Sequence, residues 1–393
     1  MAPDTHYHDK YDAAFTEQLH GTSGKAEGIL AMRKDFRTHR VVLQEYFRYF
    51  AKSIIEGGDK QAQEKVRPLV SRKGSRRAND WLQKRQSEYA TMVKLFYHLA
   101  TDFYEFGWCK SLHFCRFSHD EAFLQAIARH EHYLAYSIGI KEGMSVLDVG
   151  CGLGGPAREI AQFTNAHITG LNNNDYQIEK ARRYTMQSGL QDKVSYHRGN
   201  FLQMDFEEAT FDAAYAIEAT LHAPTLEQVY SEIYRVLKPG GVFGVYEWLL
   251  TEKYDEENAE HRRLALGIRQ GNGIPKLFTV SQGLAAMKAA GFELVHHEDL
   301  AHRPCTAPWY YPLDITLWNA RRYGDLISYA LMSKWGRIAS HYLTVGLEAI
   351  RVVPKGTTAV GNSLDLGGDC LVEAGKQDII TPMYLMLGRK PAV

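Results

Sequence analysis

The chain has 393 residues, enough for one large or two fused globular units. Its 46 Lys+Arg balance 46 Asp+Glu, which excludes the strongly basic footprint of a dedicated nucleic-acid binder. Charged residues at 23% and apolar residues at 45% exclude wholesale disorder, and against that ordinary background 23 tyrosines stand out. Residues 1–30 read as a loose arm. Over 31–56, Leu43, Tyr46, Phe47 and Phe50 recur on one helical face. The polar stretch 57–80, with Arg72-Lys73-Gly74-Ser75-Arg76-Arg77, reads as a solvated linker, with contact to anionic lipid headgroups as the alternative. A second helix is predicted over 81–104, running into Phe103-Tyr104-Glu105-Phe106-Gly107-Trp108. From about 120, helices (121–138, 156–163, 176–188, 226–237) alternate with strands (145–149, 167–171, 194–198, 211–217, 242–248), and Gly240–Gly241 reads as a turn. This alternation predicts an α/β fold with a doubly wound, mostly parallel sheet. Beyond 250 the pattern loosens to a helix at 281–290, the run Pro308-Trp309-Tyr310-Tyr311-Pro312, an amphipathic stretch at 326–350 and a strand at 384–387. The natural division is 1–118, 119–250 and 251–393.

Five scattered cysteines (Cys109, Cys115, Cys151, Cys305, Cys370) form no Cys-x-x-Cys pair, so neither a disulfide scaffold nor a structural zinc site is expected. His130-Glu131-His132 superficially suggests a metal cluster, but no metal is expected. The polar Met1–Lys10 is no secretory signal, and no stretch approaches the ~20 apolar residues of a spanning helix.

The strongest motif is Leu147-Asp148-Val149-Gly150-Cys151-Gly152-Leu153-Gly154-Gly155-Pro156, laid out as strand, glycine turn and helix. Such turns bring ligand and backbone close at the carboxyl end of a strand. Gly150, Gly152 and Gly155 also satisfy the dinucleotide pattern. Three features oppose a nicotinamide cofactor. Some 140 residues precede the glycine strand, Asn172-Asn173-Asn174 stands where a ribose-binding acid belongs, and Lys238-Pro239-Gly240-Gly241 leads into a fifth strand. The set resembles class I S-adenosylmethionine-dependent methyltransferases. That resemblance implies a seven-stranded sheet with Asp148 to Gly155 around the methionine and sugar. It also implies that Asn172 or Asn173, with Gln177 nearby, meets the ribose and that Asn200 and Phe201 flank the adenine.

A narrower resemblance spans nearly the whole chain. Ile127-Ala128-Arg129-His130-Glu131-His132-Tyr133-Leu134, Leu171-Asn172-Asn173-Asn174-Asp175-Tyr176, Tyr215-Ala216-Ile217-Glu218-Ala219-Thr220, Gly273-Ile274-Pro275-Lys276 and Pro308-Trp309-Tyr310-Tyr311-Pro312 look like the sterol 24-C-methyltransferase family. Tyr104-Glu105-Phe106-Gly107-Trp108-Cys109-Lys110-Ser111-Leu112-His113-Phe114 stands in place of that family's aromatic signature. The resemblance implies methylation of a sterol side-chain alkene through a carbocation, a hydride shift and loss of a proton. Aromatic faces suit a cation because they attract positive charge without offering a nucleophilic lone pair. Tyr104, Phe106, Trp108 and Phe114 are candidates for that lining, with Trp309 and Tyr310 as further substrate contacts. Glu105 and Glu218 are the candidate counter-charge and base, and His222 is an alternative base. Cys109 and Leu112 depart from a family Gly and Phe, and Leu221 from the usual Cys. These changes leave open another triterpenoid or terpenoid substrate, or a non-catalytic lipid-binding relative. The resemblance also implies peripheral attachment at the cytoplasmic face of the endoplasmic reticulum or at lipid droplets, and a homo-oligomer is left open.

Overall fold

Val146, Leu147 and Val149 have no solvent exposure, and with the buried Asp148 between the last two they form most of strand β1 (Ser145–Val149). Strands buried on both faces read this way because helices cover each side. Around it lie β2 (His167–Asn172), β3 (Val194–Arg198), β4 (Phe211–Ile217) and β5 (Leu237–Leu250), all parallel. Three further strands follow in the chain: β6 (Phe278–Thr279), β7 (Glu293–Asp299) and β8 (Ile380–Arg389). The sheet order is β3-β2-β1-β4-β5-β8-β7, with the two-residue β6 pairing β5 off that path. β8 runs antiparallel between β5 and β7. The structure, a computed structural model, describes residues 13–21, 31–56, 78–118, 121–304, 307–315 and 334–392. The basic run Arg72–Arg77, Cys305 and the first part of the amphipathic stretch at 326–350 lie outside the described residues.

The N-terminal segment supplies α1 (Ala13–His20), α2 (Phe36–Glu56), α3 (Ala78–Gly107) and α4 (Phe123–Ile138). The sheet is flanked by α5 (Gly155–Thr164), α6 (Asp175–Gln187), α7 (Leu226–Val236) and α9 (Val280–Ala289). Alternate residues of β1 serve two separate cores. Val146 joins Ile138 and Ile160, whereas Leu147 and Val149 join Val229 and Ile233. Three helices stand beyond the carboxyl edge: α8 (Ala259–Asn272), α10 (Lys334–Ala349) and α11 (Thr357–Lys376).

Three differences from the sequence reading have physical causes. Gly240–Gly241 is not a turn ahead of a strand, because β5 already begins at Leu237 and passes through the glycines with a register shift opposite Phe211 and Ala213. That is the behaviour of a β-bulge. Secondly, the C-terminal segment divides: β6–β8 complete the sheet, while α10 and α11 wall a cavity. Thirdly, α11 is a 20-residue helix despite four glycines, which intrinsic propensity counts against. Gly367 explains the exception. It packs against Gly271 of α8 so closely that a Cβ on either would meet the other's backbone. Buried contact therefore outweighs propensity.

Candidate active site

Two cavities open above the carboxyl ends of β1, β2 and β4. The smaller, about 60 Å³, is lined by Gly150, Gly152, Asn172, Asn173, Gln177, Gly199 and Phe201. The larger, about 270 Å³, is lined by Tyr104, Phe106, Trp108 and Phe114 with residues of α8, α10 and α11. Tyr97, Leu112, Glu218 and His222 line both, so they form the boundary between the two.

Within the glycine turn the residues separate by task. Gly150 and Gly152 line the small cavity, and a side chain on Gly152 would enter open space. Gly154 and Gly155 do not line it. A Cβ at Gly154 would collide with the Tyr196 ring, and one at Gly155 with Ser111 and the Lys110 carbonyl. These two glycines are required by packing, and Gly155 lets the aromatic loop 108–117 rest on the turn. Asp148 is also set back, buried in β1, where burial pushes its carboxyl up to about 7. The amide of Asn172 donates to Gln177 Oε1 at 2.8 Å and to Gly152 O at 3.3 Å, so it braces the turn beside Asn173. Asn200 turns inward on its own loop, its Oδ1 accepting from Leu202 N at 3.0 Å, and leaves Gly199 and Phe201 on the cavity wall.

Glu218 follows β4 with φ +52°, an unusual conformation for a residue with a side chain. Such strained positions gather at functional sites. Its Oε1 accepts from Phe114 N at 2.8 Å, which ties the aromatic loop to the sheet edge. Burial pushes this carboxyl up to about 7, against the opposing pull of His113. His113 itself is buried between two acceptors: Nδ1 faces Phe114 O at 2.8 Å and Nε2 faces Glu131 Oε1 at 2.9 Å. Burial opposes its charge, but Glu131 and Glu218 more than offset that, so His113 lies above the usual histidine range. Glu131 is thus a buried partner of His113, His132 pairs with Glu159 and His130 stacks on Tyr246, so the three neighbours diverge.

His222 is held by Tyr97 OH at 2.9 Å and by Gly273 O at 3.3 Å. Burial lowers its pKa to about 4, so the ring is neutral. Tyr104 OH donates to Asn272 Oδ1 at 3.1 Å. Phe114 sits edge-on to Trp108 and Trp309 with ring centroids 5.1 and 5.2 Å away.

Three sequence candidates lie elsewhere. Glu105 points away from the cavity and is bonded to Lys180 and Tyr184 of α6. A helix turns about 100° per residue, so Glu105 cannot share the face of its neighbours Tyr104 and Phe106. Trp309 and Tyr310 stand behind the wall, packed on Gly375 of α11, and act on the cavity only through Phe114 and that helix. Conversely, Tyr97 and Asn272 line the cavity and were not singled out from sequence. Tyr97 was detectable, since it precedes Tyr104 by two helical turns on α3.

Known proteins resemble the chain along nearly its whole length. The profile of the methyltransferase domain matches residues 146–241, and that of the sterol methyltransferase C-terminal family matches 327–392. Sterol 24-C-methyltransferase ERG6A of Gibberella zeae is 52% identical, over 97% of this chain and 96% of that protein. Sterol 24-C-methyltransferase erg6 of Aspergillus fumigatus is likewise 52% identical over 97% and 96%. Among solved structures, the [4+2]-cyclase SpnF shares the fold with a TM-score of 0.56 at 23% identity, covering 77% of this chain and 96% of that one. The chain belongs to the sterol 24-C-methyltransferase family.

Proposed function

We propose that the protein methylates a carbon of a sterol side-chain alkene, with S-adenosylmethionine as the methyl donor. The observation that carries this reading is the meeting of two cavities at Tyr97, Leu112, Glu218 and His222. One is glycine- and amide-walled and the other aromatic. The small cavity fits the cofactor: Gly152 opens onto free space, Phe201 offers a ring face for the adenine, and Asn173 and Gln177 offer amides for the ribose. When bound there, the cofactor supplies an electrophilic sulfonium methyl. Glu218 at the boundary offers the only carboxylate among the described residues that lines both spaces, and so a counter-charge for a cation on either side. Tyr104, Trp108 and Phe114 hold an apolar side chain and face a developing carbocation with π surfaces. A panel of sterols with an isolated side-chain double bond, incubated with labelled cofactor, tests the reading. Transfer of label to carbon in at least one member supports it, and cofactor binding without transfer to any member refutes it.

The same reading extends to a lipid surface. Helix α10 is inverted in its amphipathicity: Arg337, Ser340, His341 and Thr344 line the cavity. Its apolar residues look outward, with Trp335 71%, Tyr342 70% and the following Ile350 69% exposed. Aromatic and aliphatic residues on that outer face match a bilayer interface, where a sterol is dissolved. No helix among the described residues is long and apolar enough to cross a membrane. Sedimentation with sterol-containing phosphatidylcholine vesicles checks this. Trp335→Asp combined with Tyr342→Asp should release the protein, and undiminished sedimentation would refute the contact.

A further inference from the structure

Restoring an alkene from a carbocation requires a proton to leave. The acceptor must sit beside the cation without being a nucleophile that captures it. Among the polar groups on the boundary, Glu218 has one oxygen committed to Phe114 N, and its charge is suited to offsetting a cation. Tyr104 in the larger cavity donates to Asn272 Oδ1, an amide oxygen that is no base. Tyr97 differs, because its hydroxyl faces a histidine nitrogen.

The tautomer of that histidine follows from its neighbours. Gly273 O can only accept, so the contact at 3.3 Å requires a proton on His222 Nδ1. In a neutral ring Nε2 is then bare and accepts from Tyr97 OH at 2.9 Å. The two rings stand nearly perpendicular, 77° apart, and both line the two cavities. Gly273 caps α8 directly after Asn272, so one short segment fixes both His222 and the Tyr104 hydroxyl.

We infer that Tyr97 and His222 form the exit for the reaction's final proton, with Tyr97 touching the substrate and His222 receiving the charge. The inference rests on the sterol-methylation reading above. A C–H bond next to the cationic carbon breaks, and its electron pair becomes the new C=C bond. The proton passes to Tyr97 Oη as the phenolic proton passes to His222 Nε2. Tyr97 ends as a neutral phenol and His222 as an imidazolium still hydrogen-bonded to Gly273 O. A C–H bond beside a carbocation is strongly acidic, so a weakly basic imidazole suffices. Burial keeps His222 uncharged before the step and raises Tyr97, so no phenolate is present to trap the cation. The phenol's hydrogen bond also occupies the Nε2 lone pair, which disfavours alkylation of that nitrogen.

The test is product partitioning in Tyr97→Phe, His222→Asn and Glu218→Gln, on whichever sterol the wild type methylates. Melting temperature and S-adenosylhomocysteine affinity serve as controls of folding. Tyr97→Phe should keep that affinity within about threefold, well under the 1.4 kcal/mol of a tenfold change. Its alkene product should fall at least about 100-fold, the lower end of general-base contributions. Methylated sterol alcohol, from capture of the cation by water, or a displaced double bond should replace it. His222→Asn should shift the partition the same way. It also supplies the reading if Tyr97→Phe fails to bind S-adenosylhomocysteine. Wild-type alkene rate and proportion in either variant overturns the inference. A partition shift in Glu218→Gln alone overturns it too, and assigns the base to Glu218. Absence of any methylated sterol from the wild type is a separate result that sinks the underlying reading instead.

Discussion

Glu105 lies amid the aromatic signature, yet the structure gives it a structural task. Its carboxylate bridges α3 to α6 through Lys180 and Tyr184, with side chains 14% and 1% exposed in the Lys180 pair. Glu105→Gln keeps the volume and removes the charge. Breaking a buried ion pair outright costs about 3–5 kcal/mol. Here Lys180 keeps Asp102 at 2.9 Å, and the amide oxygen still accepts a hydrogen bond. About 1–2 kcal/mol is therefore expected, the cost of weakening a charged hydrogen bond without stranding the lysine. A chain of 393 residues then melts lower by roughly 1–3 °C, at about 2.1 cal/mol/K of unfolding entropy per residue. Calorimetric melting alongside steady-state kinetics reads both effects, and turnover at a temperature well below the melt should stay within about threefold of wild type. A loss of turnover of about 100-fold with unchanged melting and unchanged cofactor affinity would refute the reasoning and place Glu105 in the chemistry.

The other predictions concern the boundary and the walls. Glu218, pushed up to about 7, should favour the cationic cofactor more as it ionises. Between pH 6 and 8 calorimetric affinity for S-adenosylmethionine should rise about tenfold, that for neutral S-adenosylhomocysteine should not, and Glu218→Gln should flatten the difference. Because its folded pKa lies above the ordinary 4.5, this group should lower the stability of the free protein as pH rises from 4.5 to about 7, as melting curves can show. Gly152→Arg should weaken cofactor binding by at least about 100-fold, or 2.7 kcal/mol, by filling the open side of the turn. Leu112 and Leu221 line the large cavity whereas Cys109 does not, so Leu112→Phe should alter sterol preference in competition assays and Cys109→Gly should leave it unchanged. Gly367→Val should separate α8 from α11, lowering stability by about 1–3 kcal/mol and raising the sterol KM.

The fold's parallel half was legible because short segments with buried apolar or aromatic residues alternate with amphipathic helices, and the turn after β1 is marked by glycine. The predicted 145–149, 194–198 and 211–217 coincide with β1, β3 and β4. β7, Glu-Leu-Val-His-His-Glu-Asp, was illegible because it is an edge strand whose mostly exposed residues carry no apolar signal. α11 was hidden by glycines whose purpose appears only when α8 lies against it. At the site, glycine type alone could not separate Gly152, which borders the cavity, from Gly155, which accommodates the Lys110–Ser111 loop. Aromatic clustering found the wall but not its facing: Phe114 lies on the cavity, and Trp309 supports it from behind. The acidic candidates divided for the same reason. Helical phase sends Glu105 outward, and the end of β4 sends Glu218 to the boundary.

The most direct measurement is the mass and double-bond position of the product formed from one defined sterol with an isolated side-chain alkene. The expected product is a sterol one methyl group larger on a side-chain carbon, with its alkene restored. Recovery of unchanged sterol across such substrates, from protein that binds S-adenosylmethionine, would contradict it.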